Sequence, residues 1–143
     1  MRYVSAPLSI RFDPVLLERL RRRARTVPGA TASALAQRLV DEGLRTAEHP
    51  GIIFKDGPTG RRAALAGGPD VWEIVNVLRE LDERGEAAVD ASAALLNLTD
   101  AQVRTALAYY AAYDEEIDAE IADNDEASRA AEKAWQVSQQ LLG

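Results

Sequence analysis

Two stretches hold side chains of the kind that bind polyanions. In "PLSIRF", residues 7–12, Ser9 and Arg11 stand two apart, so on a strand both project from one face. Hydroxyl and guanidinium groups in that arrangement suit base edges in a DNA major groove. Nine residues later Arg21, Arg22, Arg23 and Arg25 crowd one helical stretch, where arginines hold phosphates without reading sequence. Each of these arginines can equally be part of a solvated helix face. Thr31 and Ser33 open a further helix, whose first backbone N–H groups converge with the helix dipole on an anion.

Catalytic chemistry has little to work with. The 143 residues include no cysteine and one histidine, His49, which lies in "AEHPGI", a stretch that reads as a linker. Thiolate nucleophiles, disulfides and the usual zinc ligand sets are therefore missing. The glycine-rich "DGPTGRRAALAGG" lacks the G-K-[ST] ending that gives a phosphate-binding loop its lysine and hydroxyl. We expect no enzyme activity, no cofactor and no metal. With 47 % hydrophobic and 28 % charged residues, the composition is that of a folded globular chain. No apolar run approaches the roughly 18 residues that span a bilayer, and "MRYVSAPLSI" lacks the apolar core of a signal peptide. The expectation is a cytoplasmic protein with no membrane partner.

Charge is distributed unevenly. Residues 1–50 carry nine arginines against five acids, a net of +4. Residues 51–113 are −3 and residues 114–143 are −7, which together make the chain's net of −6. A basic head and an acidic tail predict two partners of opposite character, a polyanion and something cationic.

Three segments follow these shifts. In the first, residues 1–47, Leu8, Ile10 and Phe12 alternate with polar neighbours at the period of a strand. A lone strand of this length cannot be stable, so it must pair with another. Asp13 and Pro14 then give an N-cap and a first-turn proline. The buried side of the helix they start is expected at Leu16, Leu17, Leu20, Ala24 and Val27, with "VPG" ending it. Thr31 caps a second helix with Leu35, Leu39, Val40 and Leu44 at helical spacing. The order is strand–helix–helix, and it closes only if a second copy supplies the strand's partner. On these features residues 7–45 resemble the ribbon-helix-helix family of dimeric bacterial DNA-binding proteins. That resemblance implies a homodimer whose two-stranded ribbon enters the major groove.

In the second segment, residues 49–113, "IIF" and "RRAAL" flank "KDGPTG" as a small hairpin. "DVWEIVNVLRELDERG" reads as a helix capped by Asp70 and stopped at Gly85, and "DASAALLN" as a short helix. Thr99 and Gln102 form a capping box that starts a longer helix after a tight turn at Asn97-Leu98. Short helix, turn and longer helix make a helix-turn-helix pattern, with Gln102, Arg104 and Thr105 facing outward if it reads DNA. Because its surroundings are net negative, a packing or spacing role is the preferred reading. Tyr109, Tyr110, Tyr113 and Trp72 are expected in the core. "HPGIIFKDGPTGRRA", "DVWEIV" and "LTDAQVRTALAYYAAY" resemble an antitoxin-associated helix-turn-helix family, catalogued as domain-of-unknown-function family 433. The resemblance implies the antitoxin of a type II toxin–antitoxin pair, which neutralises a PIN-like ribonuclease toxin and represses its own operon at operator DNA.

The third segment, residues 114–143, holds eight acids in its first 13 residues and a loosely amphipathic helix after them. It reads as an acidic helical tail that binds the toxin. Asp114, Glu115 and Asp118 are expected to match a basic rim, with Ile117, Ile121, Trp135 and Leu141 as apolar anchors. The alternative is a free-standing dimeric transcriptional regulator without a toxin, whose tail oligomerises. The expected fold is thus mainly α with minor β: a ribbon-helix-helix head, a hairpin plus helix-turn-helix middle, and a helical tail.

Overall fold

A computed structural model describes residues 5–58 and 60–143. The fold is mainly helical with one small antiparallel sheet. The elements, in order, are α1 (Pro14–Arg25), α2 (Ala32–Glu48), β1 (Ile52–Gly57), β2 (Gly60–Leu65), α3 (Val71–Glu80), α4 (Glu86–Leu96), α5 (Asp100–Ala112) and α6 (Asp114–Leu142). The chain divides into two compact units, one ending at Gly43 and one running from Leu44 to Gly143.

In the first unit Asp13 caps α1 as expected. Its Oδ1 accepts from the backbone N–H of Val15 and Leu16 at 2.9 and 3.2 Å, and Pro14 occupies the first turn. Thr31 Oγ1 accepts from Ala34 N–H at 3.0 Å and so caps α2. The strand expected over residues 7–12 does not form within one chain. Residues 5–13 carry no regular element, and the only sheet among the described residues is the β1–β2 hairpin. The expected buried side of α1 and α2 is likewise largely unburied: of its residues only Ala24 and Leu35 are enclosed. Leu16, Leu39 and Val40 are each about half exposed. The periodicity is that of a core face, but two short helices have too little apolar surface to close over it.

The second unit has a real core. β1 and β2 pair from Ile52↔Leu65 to Gly57↔Gly60, so the strands run further toward the turn than "KDGPTG" suggests. Gly57 leaves room for the Arg62 side chain, since a Cβ there would stand 2.5 Å from Arg62 Nε. Ile52, Leu65, Val71, Ile74, Val103 and Tyr109 pack with both α4 and the start of α6. α3 ends at Glu80, with Leu81 extended, and Gly85 instead precedes α4 with a φ of 62°. Asp70 sits at the N-cap position of α3 without capping it. Its carboxylate is taken by Lys55 Nζ at 2.8 Å and by the Trp72 Nε1–H at 3.0 Å.

The largest correction concerns the tail. α6 belongs to the second unit, and Ile117 and Ile121 lie in its core, 0 % and 6 % exposed. Four apart on a helix they share one face, and that face is spent inside the protein. They are not available as anchors for a partner. From residue 122 onward every α6 residue except the half-buried Asn124 is exposed. Ending the chain after Tyr113 is therefore expected to unfold the second unit, whereas ending it after Glu126 should leave its thermal transition intact. In the full chain Ile117→Ala should cost about 2–5 kcal/mol of stability in a denaturant titration.

Candidate functional site

Two surfaces carry the candidate residues, one in each unit. The first unit presents Ser9, Arg11, Arg21, Arg22, Thr31 and Ser33, all of them exposed. Along its residues also run uncovered apolar side chains: Leu8 is 82 % exposed, Ile10 57 % and Val15 70 %. Leu16, Leu20 and Leu39, rimmed by Arg19, Arg22 and Arg23, line an open groove of about 480 Å³. Among the described residues, only Arg25 of the arginine run is engaged with an acid, at 3.3 Å from Glu18. Both members of that pair are more than half exposed, so it holds little. The surface as built is cationic at its edge and apolar beside it.

The second unit tests the helix-turn-helix residues. Asn97 ends α4 in the left-handed region at φ 55°, the conformation a tight turn demands of it. Gln102 returns its side chain to the Thr99 N–H at 2.8 Å, completing the capping box. Arg104 donates two hydrogen bonds to Glu86, one of them at 3.2 Å, and Thr105 Oγ1 donates to Ala101 O at 3.0 Å. All three side chains expected at a recognition face are thus engaged locally. Pairing with Arg104 holds the Glu86 carboxyl below its ordinary pKa. Between Asp90 and Asp100 the hydrogen bond and burial push Asp100 upward.

Two acids of α6, Glu116 and Asp118, are also committed, which the sequence did not reveal. Arg45, in the last turn of α2, donates to Tyr109 Oη and to Glu116 Oε2, each at 2.9 Å, and its guanidinium lies 4.0 Å over the Tyr113 ring. Arg79 of α3 binds Tyr110 Oη at 2.9 Å and pairs with Asp118, to which Tyr110 also donates at 2.8 Å. These bonds hold Asp118 below its ordinary pKa. Consecutive tyrosines of α5 thus anchor two carboxylates, two residues apart, in the first turns of α6. Sequence offered one signal: Tyr109 and Tyr110 are too polar at the tip to be buried without partners. His49, expected in a linker, packs its ring 5.3 Å from that of Tyr109. Tyr109 is fully buried, while Tyr110, Tyr113 and Trp72 are partly buried and pack against the core.

Of the tail residues, Asp114 and Glu115 are exposed in the first turn, where negative charge complements the helix dipole. Trp135 and Leu141 are 63 % and 87 % exposed. Val137 and Leu142 are exposed beside them, on a stretch whose charges from residue 127 on are Arg129, Glu132 and Lys133 alone; Trp135 and Leu142 share one side of the helix, Val137 and Leu141 another. Acidity and exposed apolarity, expected to act together on one partner, fall in different halves of α6. No helix of the described residues is long and apolar enough to cross a membrane. No protein-family model matches the chain, and neither does any curated protein or solved structure.

Proposed function

We propose that this chain is a dimeric DNA-binding regulator of the antitoxin type. In this reading its first unit is a ribbon-helix-helix head, and the distal half of α6 is the surface offered to a toxin. The observation that carries the reading is the uncovered apolar face of the first unit. Leu8, Ile10, Val15, Leu16, Leu39 and Val40 lie open in one chain, and among the described residues of the unit only Ala24 and Leu35 are buried apolar side chains. Fully burying such a side chain is worth about 1.5–3 kcal/mol, and the half-exposed Leu16, Leu39 and Val40 forgo roughly half of that. A second copy supplies both missing parts, a strand to pair with residues 7–12 and helices to cover the leucines. Ser9 and Arg11 then face the major groove from the ribbon, while Arg21, Arg22 and the α2 start at Thr31–Ser33 hold phosphates. The net charge of +4 over residues 1–50 suits that partner.

The α4–α5 pair, read as a helix-turn-helix, serves as scaffold here, because its outward side chains are already engaged. Toxin recognition rests on Trp135, Leu141 and their neighbours, and an apolar groove suits that near-neutral stretch better than a basic rim. The same neutrality favours the alternative of a regulator without a toxin, since two such stretches meet without charge repulsion.

Light scattering is expected to give a dimer at micromolar concentration, and Ile10→Asp a monomer with a disordered head; a monomeric parent chain would overturn the head assignment. Arg11→Ala should remove about 1–3 kcal/mol of discrimination between the promoter fragment and random DNA. Arg22→Ala should weaken both alike and flatten the salt dependence of binding. Trp135→Ala should abolish capture of the product of an adjacent reading frame while leaving DNA binding unchanged. If the chain ending at Glu126 captures that product as well as the full chain, the distal helix is not the toxin surface; if it loses only an oligomer, the regulator reading stands.

A further inference from the structure

The last side chain that α6 buries is Ile121, and Glu120 stands immediately before it. Three acids follow one another at alternate positions here, and their surroundings differ. Glu116 is held by Arg45 and Tyr109, and Asp118 by Arg79 and Tyr110. Glu120 has no such donor: its Oε2 is enclosed and without a hydrogen-bond partner among the described residues. An ionised carboxylate oxygen enclosed in that way costs free energy that a neutral carboxyl does not.

The charges around it reinforce this. Arg62 of β2 faces it and favours ionisation, but Asp70 at the start of α3 and Glu116 and Asp123 on its own helix oppose it. α5 contributes Tyr109 and Tyr110, both already bonded to Glu116 and Asp118, and α3 contributes Arg79, bonded to Asp118. Arg62 is confined by its packing on Gly57 and lies 5.8 Å over the Trp72 ring.

We propose that Glu120 is a proton-operated latch at the point where α6 leaves the core. With its carboxyl neutral, the turn bearing Glu120 and Ile121 stays seated and the distal helix is a rigid extension of the second unit. With the carboxyl ionised, that turn lifts toward water and residues from 120 onward become a tethered arm. Burial, the largest cause, together with the neighbouring acids pushes Glu120 up to about 7 from its ordinary 4.5. The seated form therefore holds the proton more tightly than the open form. Seating is strongest below about pH 4.5 and is lost progressively as pH rises through 7. The latch goes beyond the regulator reading, since it needs neither DNA nor partner. Where the distal face does receive a partner, the same proton sets how firmly that face is presented.

Amide hydrogen exchange of the full chain, corrected for the intrinsic effect of pH, reads the opening of residues 118–124. Between pH 6 and pH 8 the opening constant should rise about five- to tenfold in the parent chain. Glu120→Gln, which keeps the shape and removes the titration, should stay protected at both values. Residues 103–109 of α5 are the internal reference and should change little. A parent chain with the same opening at both pH values would overturn the latch, as would a Glu120→Gln variant that opens as the parent does. Loss of DNA or partner binding in separate assays would count against the regulator reading and leave this result standing.

Discussion

The seating of the first two turns of α6 is what the second unit depends on. Ile117 and Ile121 close the core against α3 and α5, and around them sit two ion-pair clusters built on adjacent tyrosines. The apolar contacts supply the free energy, since fully burying an isoleucine is worth about 1.5–3 kcal/mol. Exposed ion pairs supply much less, and Arg79–Asp118 is close to half exposed on both sides. What the clusters add is register. Rotating α6 by one residue, about 100°, would take Glu116 from Arg45 and Asp118 from Arg79 together. Part of the acidity of this stretch, at Glu116 and Asp118, is thus internal in purpose, and the first-turn acids Asp114 and Glu115 further favour the helix start.

The first unit meets the opposite constraint. Its helix starts are capped, yet among its described residues only two apolar side chains are enclosed. Local signals fix where helices begin and end at little cost in chain length. A core needs volume, and a stretch of about 40 residues seldom supplies it without a metal, a disulfide or a second chain. The chain has no cysteine for a disulfide, and a second chain is the remedy that the proposed reading supplies.

What was legible in the sequence follows the same division. Asp13-Pro14, Thr31 and the Thr99–Gln102 box located helix starts correctly, because a cap is a relation between residues two or three apart. The hairpin and the turn at Asn97 were visible for the same reason. Partners distant in sequence were not. Arg45 and Glu116 lie 71 positions apart, and nothing in either neighbourhood announces the other. Asp70 looked like a cap and serves Lys55 and Trp72 instead, because a buried carboxylate beside an ammonium group gains more from that pair than from exposed N–H groups. Ile117 and Ile121 misled most. An i, i+4 apolar pair states only that one face is covered, and composition suggested a partner where the chain's own core was the cover.

In the proposed reading, these features make DNA binding cooperative in protein concentration. A head whose apolar face is covered only by a second copy has its folding, pairing and DNA affinity linked by mass action. At low concentration the head is largely unpaired and unable to form the ribbon, so its arginines bind polyanions weakly and without register. The second unit has no such dependence, because its core is complete within one chain. A partner gripping the distal half of α6 therefore finds its surface on every copy, whether or not the head is paired. In that reading DNA binding falls more steeply with protein concentration than capture of a partner does, because the first needs two copies of the chain and the second needs one.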